Sequence, residues 1–331
     1  MSTKKNIALV TGGYSSEAVI SYRSAAQVQN NIDTTLYNSY RIDVRPDGWY
    51  YQPNNDTTVE VLVNKNDFSV SYNNETITFD AAYIIMHGTP GEDGKLQGYF
   101  DMLKIPYTGC NAASSAITFN KRYGVALAAM NGIAVAKSML FTNTDTKEML
   151  QTAASMQFPL FVKPNNGGSS IGMSKIKDVN ELMPAFEKAF AEDTQVLVEE
   201  YISGPEYTVG VYKINNETVV LPITSVISFN YFFDFEAKYQ GKNEEVTPAI
   251  ISEALAEKIR ATARKVYNTF NCSGVVRMDL IYNEAAQKPY LLEVNTIPGQ
   301  SEQSVIPQQV RASGGNLKDF YTSIIQQVLP A

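Results

Sequence analysis

Cysteine is nearly missing: Cys110 and Cys272 are the only two in 331 residues. Neither belongs to a CxxC spacing or has a metal-ligand neighbour, so a disulfide scaffold and a structural zinc site both drop out, and a reducing compartment fits. Basic charge is short as well, with 27 Lys plus Arg against 34 Asp plus Glu and a net charge of −7. A general binder of nucleic acid or anionic membranes needs the opposite balance, so any phosphate ligand must be met by a local group of cations. Long apolar runs are also lacking. Stretches such as Val125 to Met130 fall well below the about 20 residues that cross a bilayer. Ile7 to Val10 is shorter than the about 7–15 residues of a secretory core. A cytoplasmic protein without nucleic-acid or membrane partners is expected. What is present, 44% hydrophobic and 18% charged residues, is ordinary globular material. At roughly 100–200 residues per domain, the length allows two or three domains.

The order of patterns predicts a mixed fold, α/β at the start and α+β afterwards. Asn6 to Thr11 is an apolar run that stops at Gly12-Gly13, and a helical stretch begins near Glu17, which is the entry of an open α/β domain. Ala82 to Met86 predicts a second buried strand, ending in His87-Gly88 and a turn-rich loop to Gly94. Between the two, Val59, Val61 and Val63, then Phe68 and Val70, then Ile77 and Phe79, alternate with polar residues as antiparallel ribbons do. A first domain is expected over 1–117. A second, over 118–202, holds a helix from Lys121 to Met130, strands at Phe161 to Pro164 and Val196 to Glu199, and a helix from Val179 to Phe190. A third, over 203–331, holds strands at Tyr207 to Ile214, Thr218 to Ile227, Gly274 to Tyr282 and Tyr290 to Val294, with one amphipathic helix from Ser252 to Phe270.

Two segments carry chemistry by themselves. Asn166-Gly167-Gly168-Ser169-Ser170-Ile171-Gly172 follows Lys163 between two strands. Glycines let consecutive N–H groups face an anion, hydroxyls add donors and the lysine adds charge; a plain hairpin turn is an equal alternative. A Walker A loop is excluded, because the nearest approach, Gly88 to Lys95, has five residues between its glycines and Leu96 where Ser or Thr is required. No Gly-x-Gly occurs, so there is no dinucleotide fingerprint. The second segment pairs Arg277-Met278-Asp279 with Glu293-Val294-Asn295. Residues two apart on a strand share a face, so Arg277 joins Asp279 and Glu293 joins Asn295. If the strands pair, hard oxygen donors suited to Mg²⁺ converge with one guanidinium. The rigid turn Thr296-Ile297-Pro298-Gly299 then exposes a backbone N–H. His87, the single histidine, and Glu17, Glu199, Glu200 and Glu206 each have a purely structural alternative by themselves.

Taken in order, the motifs resemble those of the D-alanine–D-alanine ligases, of the ATP-grasp superfamily. They are Gly12-Gly13-x-Ser15-Ser16-Glu17; His87-Gly88-x-x-Gly91-Glu92-Asp93-Gly94 with Gln97-Gly98; Pro106-Tyr107-Thr108-Gly109; Lys163-Pro164 with Gly168-Ser169-Ser170-Ile171-Gly172; Ser203-Gly204-Pro205-Glu206; Glu236-Ala237-Lys238-Tyr239; Arg277-x-Asp279; and Glu293-x-Asn295-Thr296-x-Pro298-Gly299. The resemblance implies a three-domain ATP-grasp architecture behind an N-terminal α/β domain, and ATP-driven joining of two D-alanines through a D-alanyl phosphate, for peptidoglycan precursors. By the same resemblance Lys121 and Lys163 hold ATP phosphates, Ser169 and Ser170 belong to the loop closing over them, and Glu199, Glu200, Ile202 and Glu206 line the adenine and ribose pocket. Asp279, Glu293 and Asn295 bind two Mg²⁺, for which Mn²⁺ can substitute, and a monovalent cation is a further family option. Lys238 meets the transferring phosphate. Glu17 anchors the first ammonium with His87 nearby, Arg277 and the Gly299 N–H form an oxyanion hole, Ser304 takes the second carboxylate, and Tyr239 joins Glu17 and Ser169 in a latch. A homodimer is expected from the family alone.

The sequence departs from that pattern near the second substrate. Gln300 stands where Met is common, Val305 where Leu follows the carboxylate-binding Ser, and Ile297 where Ser is frequent; Ala18 and Val19 replace a pair that usually contains a second glutamate. A roomier second subsite is expected. Two other readings stay open at this point: another ATP-grasp amino-acid or peptide ligase, and a nucleotide-binding regulator without catalysis.

Overall fold

The computed structural model describes residues 4–142, 146–168, 171–214, 217–228 and 243–330. Ile7, Ala8, Leu9 and Val10 are completely buried in β1 (Lys5–Gly12), as an unbroken apolar run in a parallel strand requires. β1 lies parallel to β2 (Tyr37–Arg45) on one side and to β7 (Ala81–Ile84) on the other. Beyond β2 the sheet continues antiparallel through β3 (Gly48–Tyr51), β4 (Val61–Asn64), β5 (Ser69–Tyr72) and β6 (Glu75–Ile77). The alternating stretch thus forms the expected ribbons, while β2 and β3, which mix tyrosines with charges, gave no such signal. Helix α1 (Ala18–Asn31) buries Ser21, Ser24, Ala25 and Val28, small side chains at helical spacing. Helices α2 (Lys95–Leu103), α3 (Ala112–Phe119) and α4 (Lys121–Met130) follow; Asn111 caps α3 by accepting the Ser114 N–H at 2.8 Å, and Asn120 caps α4 by accepting that of Tyr123 at 3.0 Å.

A second sheet, wholly antiparallel, has the order β10 (Ser174–Ile176), β9 (Leu160–Pro164), β11 (Gln195–Glu200), β8 (Ser138–Thr142). Helices α5 (Thr146–Ala154) and α6 (Leu182–Phe190) flank its core of Leu160, Val162, Phe186, Val196 and Val198. The expected helix from Val179 starts at Leu182, preceded by one 3-10 turn that Asp178 caps.

The third sheet runs β15 (Asn243–Val246), β14 (Thr224–Ser228), β12 (Glu206–Ile214), β16 (Val276–Asn283), β17 (Lys288–Asn295), with β13 (Glu217–Val220) also on β12. The single strand expected over Thr218 to Ile227 is in fact two. Pro222 has no N–H to donate, and the ladder breaks around it. Gln309 fills the gap on β12: it accepts the Gly210 N–H and donates to the Thr208 carbonyl and Thr224 hydroxyl, each at 3.0 Å. Helix α7 (Glu253–Thr269), capped by Ser252, packs Ile259, Ala263 and Val266 against Val209, Met278 and Leu280. The last helices, α8 (Val305–Ala312) and α9 (Leu317–Gln326), send Ile306, Phe320, Tyr321 and Ile324 into the core of the first sheet, where the Tyr83 and Tyr321 rings meet edge-on at 6.1 Å. No helix among the described residues is long and apolar enough to cross a membrane.

Candidate active site

Glycine turns assemble the N-terminal part of the site. A Cβ on Gly12 would lie 2.5 Å from both the Val44 carbonyl and Asp43 Oδ1, and φ there is +93°, so β1 can end this close to β2 only with glycine. The chain then delivers Glu17 to the start of α1, its N–H donating to Ser15 Oγ at 3.3 Å. From the end of β7, the His87 N–H donates to Ser21 Oγ at 3.0 Å and its Nε2 lies 3.5 Å from Ser24 Oγ, which fixes the imidazole against α1. Gly88, at φ +70°, fits between two segments: a Cβ would meet Ser15 Oγ at 2.7 Å and Glu17 Oε2 at 3.1 Å. Glu92 reaches back from the next turn to accept the Gly88 N–H at 2.7 Å.

The glycine-serine loop joins β9 to β10. Strand alternation buries Leu160 and Val162 and turns Lys163 to the opposite face, where it pairs with Glu199. The loop is anchored at its start. Asn165 accepts the Arg122 N–H and donates to Gln195 Oε1, both at 2.9 Å, and Asn166 places its N–H and its amide on Asp193 Oδ2 at 2.7 and 2.9 Å. Lys121 Nζ donates to the Gly167 carbonyl. Burial holds the Lys121 ammonium below its ordinary value, with Glu293 and Glu199 opposing and Lys163 adding to the effect. Gly168 stands over Glu17, where a Cβ would lie 3.0 Å from Oε1. Ser169, Ser170, Lys238 and Tyr239 lie outside the described residues.

The third part is built on strands. Arg277 opposes Asn295 and Asp279 opposes Glu293 across β16 and β17, the register that puts all four side chains on one face. The Arg277 guanidinium grips Asp279 in bidentate fashion, Nε to Oδ1 at 3.0 Å and one terminal nitrogen to Oδ2 at 2.8 Å, with Glu293 Oε1 at 3.6 Å. The Asn295 amide bridges Asp279 Oδ2 and Glu293 Oε1, each at 3.3 Å, and Thr208 Oγ1 donates to Asp279 Oδ1 at 2.8 Å. Burial by itself would lower the Arg277 pKa; Asp279, Glu293 and Glu245 reverse that and hold it above its ordinary value. No group of three or more His, Cys, Asp or Glu side chains among the described residues is arranged to hold a metal ion. The strand set differs in kind, two carboxylates with an amide.

The three parts meet at one cavity of about 620 Å³. Glu17, His87 and Glu92 line it from the first sheet's loops, Lys121 and Gly168 from the central segment, and Arg277, Glu293, Asn295, Gly299, Ser304 and Val305 from the C-terminal one. Ser304 begins α8 with its hydroxyl 2.7 Å from that of Ser301; a Cβ on Gly299 would lie 2.8 Å from Ser304 Oγ, so glycine leaves that hydroxyl room. The Gln300 N–H donates to Ser24 Oγ at 3.1 Å, tying this turn to α1. Lys163, Glu199, Glu200, Ile202 and Glu206 are not among the lining residues: Glu200 lies 3.9 Å from Lys137, Ile202 is half-buried just after β11, and Glu206 opens β12. Reading the sequence gave no role to Glu92 or Thr208. The first sits inside a quoted motif, where its position after His87-Gly88 was the available signal; the second shows only once β12 is paired with β16.

Known proteins share this arrangement along the whole chain. The family pattern described as D-ala D-ala ligase N-terminus matches residues 6–110, and that described as D-ala D-ala ligase C-terminus matches residues 124–326. The D-alanine–D-alanine ligase of Azobacteroides pseudotrichonymphae is 46% identical over 326 residues, covering 98% of this chain and 100% of the relative. That of Parabacteroides distasonis is 45% identical over 327 residues, 98% of each. Among solved structures, the VanG D-Ala:D-Ser ligase from Enterococcus faecalis aligns at TM-score 0.88 and 32% identity over 98% of this chain and 99% of that one. D-alanyl-alanine synthetase A from Vibrio cholerae aligns at 0.89 and 27% identity over 99% of each. With both halves matched, and the fold shared with solved ligases from end to end, the chain belongs to the D-alanine–D-alanine ligase family of ATP-grasp enzymes.

Proposed function

We propose that the protein joins two D-alanines at the expense of ATP, through a D-alanyl phosphate, to supply a peptidoglycan precursor. The observation that supports this most is the cavity that Glu17, Lys121, Arg277 and Gly299 line together. A carboxylate is a poor electrophile at neutral pH, so the first D-alanine must be activated before an amine can attack it. Glu17 anchors its ammonium with His87 nearby, while Lys121 and Lys163 bind the phosphates of ATP. Ser169, Ser170, Lys238 and Tyr239 keep the roles that the family resemblance implies, and Glu199, Glu200, Ile202 and Glu206 those toward the nucleoside. The carboxylate oxygen takes the terminal phosphoryl group and ADP departs. Ser304 then holds the second carboxylate so that its amine attacks the acyl carbon. Arg277 and the Gly299 N–H stabilise the oxygen of the tetrahedral intermediate, and phosphate leaves. Closure over the cavity excludes the water that would hydrolyse the acyl phosphate.

Asp279, Glu293 and Asn295 fit a hard divalent cation, because two carboxylates and an amide share one strand face; the Asn295 amide nitrogen now donates to both carboxylates, and a flip of that amide would turn its oxygen toward a cation between them. These residues would hold Mg²⁺, or Mn²⁺ in its place, which when bound would supply positive charge to offset that of the ATP phosphates. Thr208 and Arg277 orient Asp279 for that task. The division into 1–117, 118–202 and 203–331, a homodimer and a cytoplasmic location complete the reading. Val305, which lines the cavity, further favours a second subsite that accepts D-serine or D-2-aminobutyrate beside D-alanine, whereas the Gln300 side chain is buried toward Tyr321.

ADP release measured against a panel of D- and L-amino acids, with products identified by mass spectrometry, tests this. D-alanine-dependent ADP release with D-alanyl-D-alanine formed is expected. Turnover on L-amino acids alone would point to another ATP-grasp ligase, and nucleotide binding with no turnover to a regulator.

A further inference from the structure

A backbone N–H that stabilises a tetrahedral oxygen must be aimed before the reaction begins, yet glycine is the residue least able to hold a direction by itself. No side chain can stiffen Gly299, because a Cβ there would lie 2.8 Å from Ser304 Oγ. Its N–H donates to no protein acceptor among the described residues. The restraint has to come from the neighbours. On one side Pro298 locks φ, and Ile297 is sunk in the core of the first sheet. On the other, the Gln300 N–H donates to Ser24 Oγ at 3.1 Å, both residues being buried. A peptide unit is planar, so holding the Gln300 N–H also fixes the Gly299 carbonyl. The two soft torsions of Gly299 are thereby bounded from both ends.

Ser24 belongs to α1, the helix that starts after Glu17. Glu17, Ser21 and Ser24 are spaced four and three residues apart, the repeat of one helical face. Ser21 Oγ accepts the His87 N–H at 3.0 Å, and Ser24 Oγ, besides accepting from Gln300, lies 3.5 Å from His87 Nε2. One face of α1 therefore sets the spacing between Glu17, the His87 loop and the Gly299 turn. Ser24 is completely buried and does not line the cavity, so any effect it has passes through those neighbours.

We propose that Ser24 is a positioning residue for the ligation step: it holds the Gly299 turn in register with Glu17, so that the oxygen of the tetrahedral intermediate meets a donor already in place. This rests on the ligase reading above. A donor aimed at charge that develops only in the transition state raises kcat and leaves ground-state binding nearly untouched. Losing the Ser24 hydroxyl strands the buried Gln300 N–H and frees the turn, and the loss falls on kcat.

Initial rates of D-alanyl-D-alanine synthesis by the full-length protein test this. Ser24→Ala should lower kcat about tenfold or more, with KM for D-alanine and for ATP moved less than twofold. Ser24→Thr and Ser24→Val separate the hydroxyl from its bulk, since the two side chains share one shape; the Thr variant should turn over at least several-fold faster. Hydrogen exchange read by mass spectrometry in the ligand-free protein adds a measurement without turnover. Peptides containing Gln300 should exchange faster in Ser24→Ala and Ser24→Val than in the wild type and Ser24→Thr. Wild-type kcat in Ser24→Ala, equal kcat in the Thr and Val variants, or a loss carried wholly by KM overturns the proposal. A wild type that releases no ADP with D-alanine overturns the ligase reading instead, whereas an active wild type indifferent to Ser24 overturns this proposal alone.

Discussion

At the strand end of the cavity, which Asp279 does not itself line, that carboxylate is held by the Arg277 guanidinium at 3.0 and 2.8 Å, while at the loop end Glu92 leans on a backbone N–H at 2.7 Å. Asp279 is buried and Glu92 half-buried, and both neighbour another acid. In the first case a fixed cation on the same strand takes the charge, and the guanidinium pKa rises in response. In the second no such cation is present among the described residues, and the carboxyl keeps its proton to about 8. A buried acid can be stabilised by a permanent partner or by remaining neutral until a ligand brings one. The strand end therefore carries its own counter-charge, whereas Glu92 rests on a backbone donor.

The most damaging way to break this contrast is to remove the permanent partner. Arg277→Gln takes away the proposed oxyanion donor and leaves Asp279 without its cation, and kcat for D-alanyl-D-alanine synthesis should fall by about 10²–10³-fold. Glu293→Gln should be comparably severe through loss of the proposed cation site. Product analysis at saturating Mg²⁺ decides the matter; a kcat within tenfold of wild type would show that the strand cluster is only structural.

Gly88→Ala strikes the loop end instead. The residue adopts φ +70°, and its new methyl would lie 2.7 Å from Ser15 Oγ and 3.1 Å from Glu17 Oε2. The left-handed conformation costs about 1–2 kcal/mol by itself, and Glu17 must shift. The KM for the first D-alanine should rise about tenfold while kcat changes less, which initial rates over a wide D-alanine range would reveal. Equal loss in both constants would mean that the whole cavity, rather than the ammonium pocket, had been disturbed.

Stability against pH sharpens the same contrast. Folded Glu92 holds its proton to about 8, whereas an ordinary glutamate releases it at 4.5. Its contribution to stability is therefore fully present below 4.5 and is lost as pH rises toward 8. Glu92→Gln carries no such dependence. Its Tm without ligand should match wild type near pH 4.5 and exceed it by a few degrees at pH 8.5. Differential scanning calorimetry at both values measures this, and a Tm gap independent of pH would refute a protonated Glu92.

The smallest effect is expected at Val305. One methylene is worth about 0.8 kcal/mol when buried, or roughly fourfold in selectivity. Val305→Leu should narrow acceptance of D-serine or D-2-aminobutyrate in the second position by that order, measured as dipeptide ratios in mixtures with D-alanine. No change in the ratio would place the selectivity elsewhere.

What could be read from the sequence divides along the same line. Arg277, Asp279, Glu293 and Asn295 were placed on one face because strand geometry repeats every two residues, and only the pairing of β16 with β17 had to be assumed. β1, α4 and α7 were legible for a similar reason, each having an uninterrupted pattern or a clear cap. Glu92 was not, because its neighbours come from α1, β16 and β17, and no local periodicity encodes that meeting. Thr208 was hidden likewise, since its hydroxyl matters only through the neighbouring strand. The break at Pro222 could have been anticipated from the missing N–H. The insertion of Phe320 and Tyr321 into the first core could not, because an amphipathic helix does not announce which sheet it will cover.

That insertion bears on how the molecule comes into being. Synthesis proceeds from the N-terminus at about 5–20 residues per second, so β7 is made roughly ten to fifty seconds before α9. Through that interval the first sheet has its strands but not the helix that carries Tyr321 against Tyr83 and Lys318 to within 3.1 Å of Asp33. The nascent chain must keep an apolar face open until α9 has been made. A sheet made early is thus covered by a helix made late, and a nonsense mutation before Leu317 would leave that sheet, far from the lesion in sequence, without that helix.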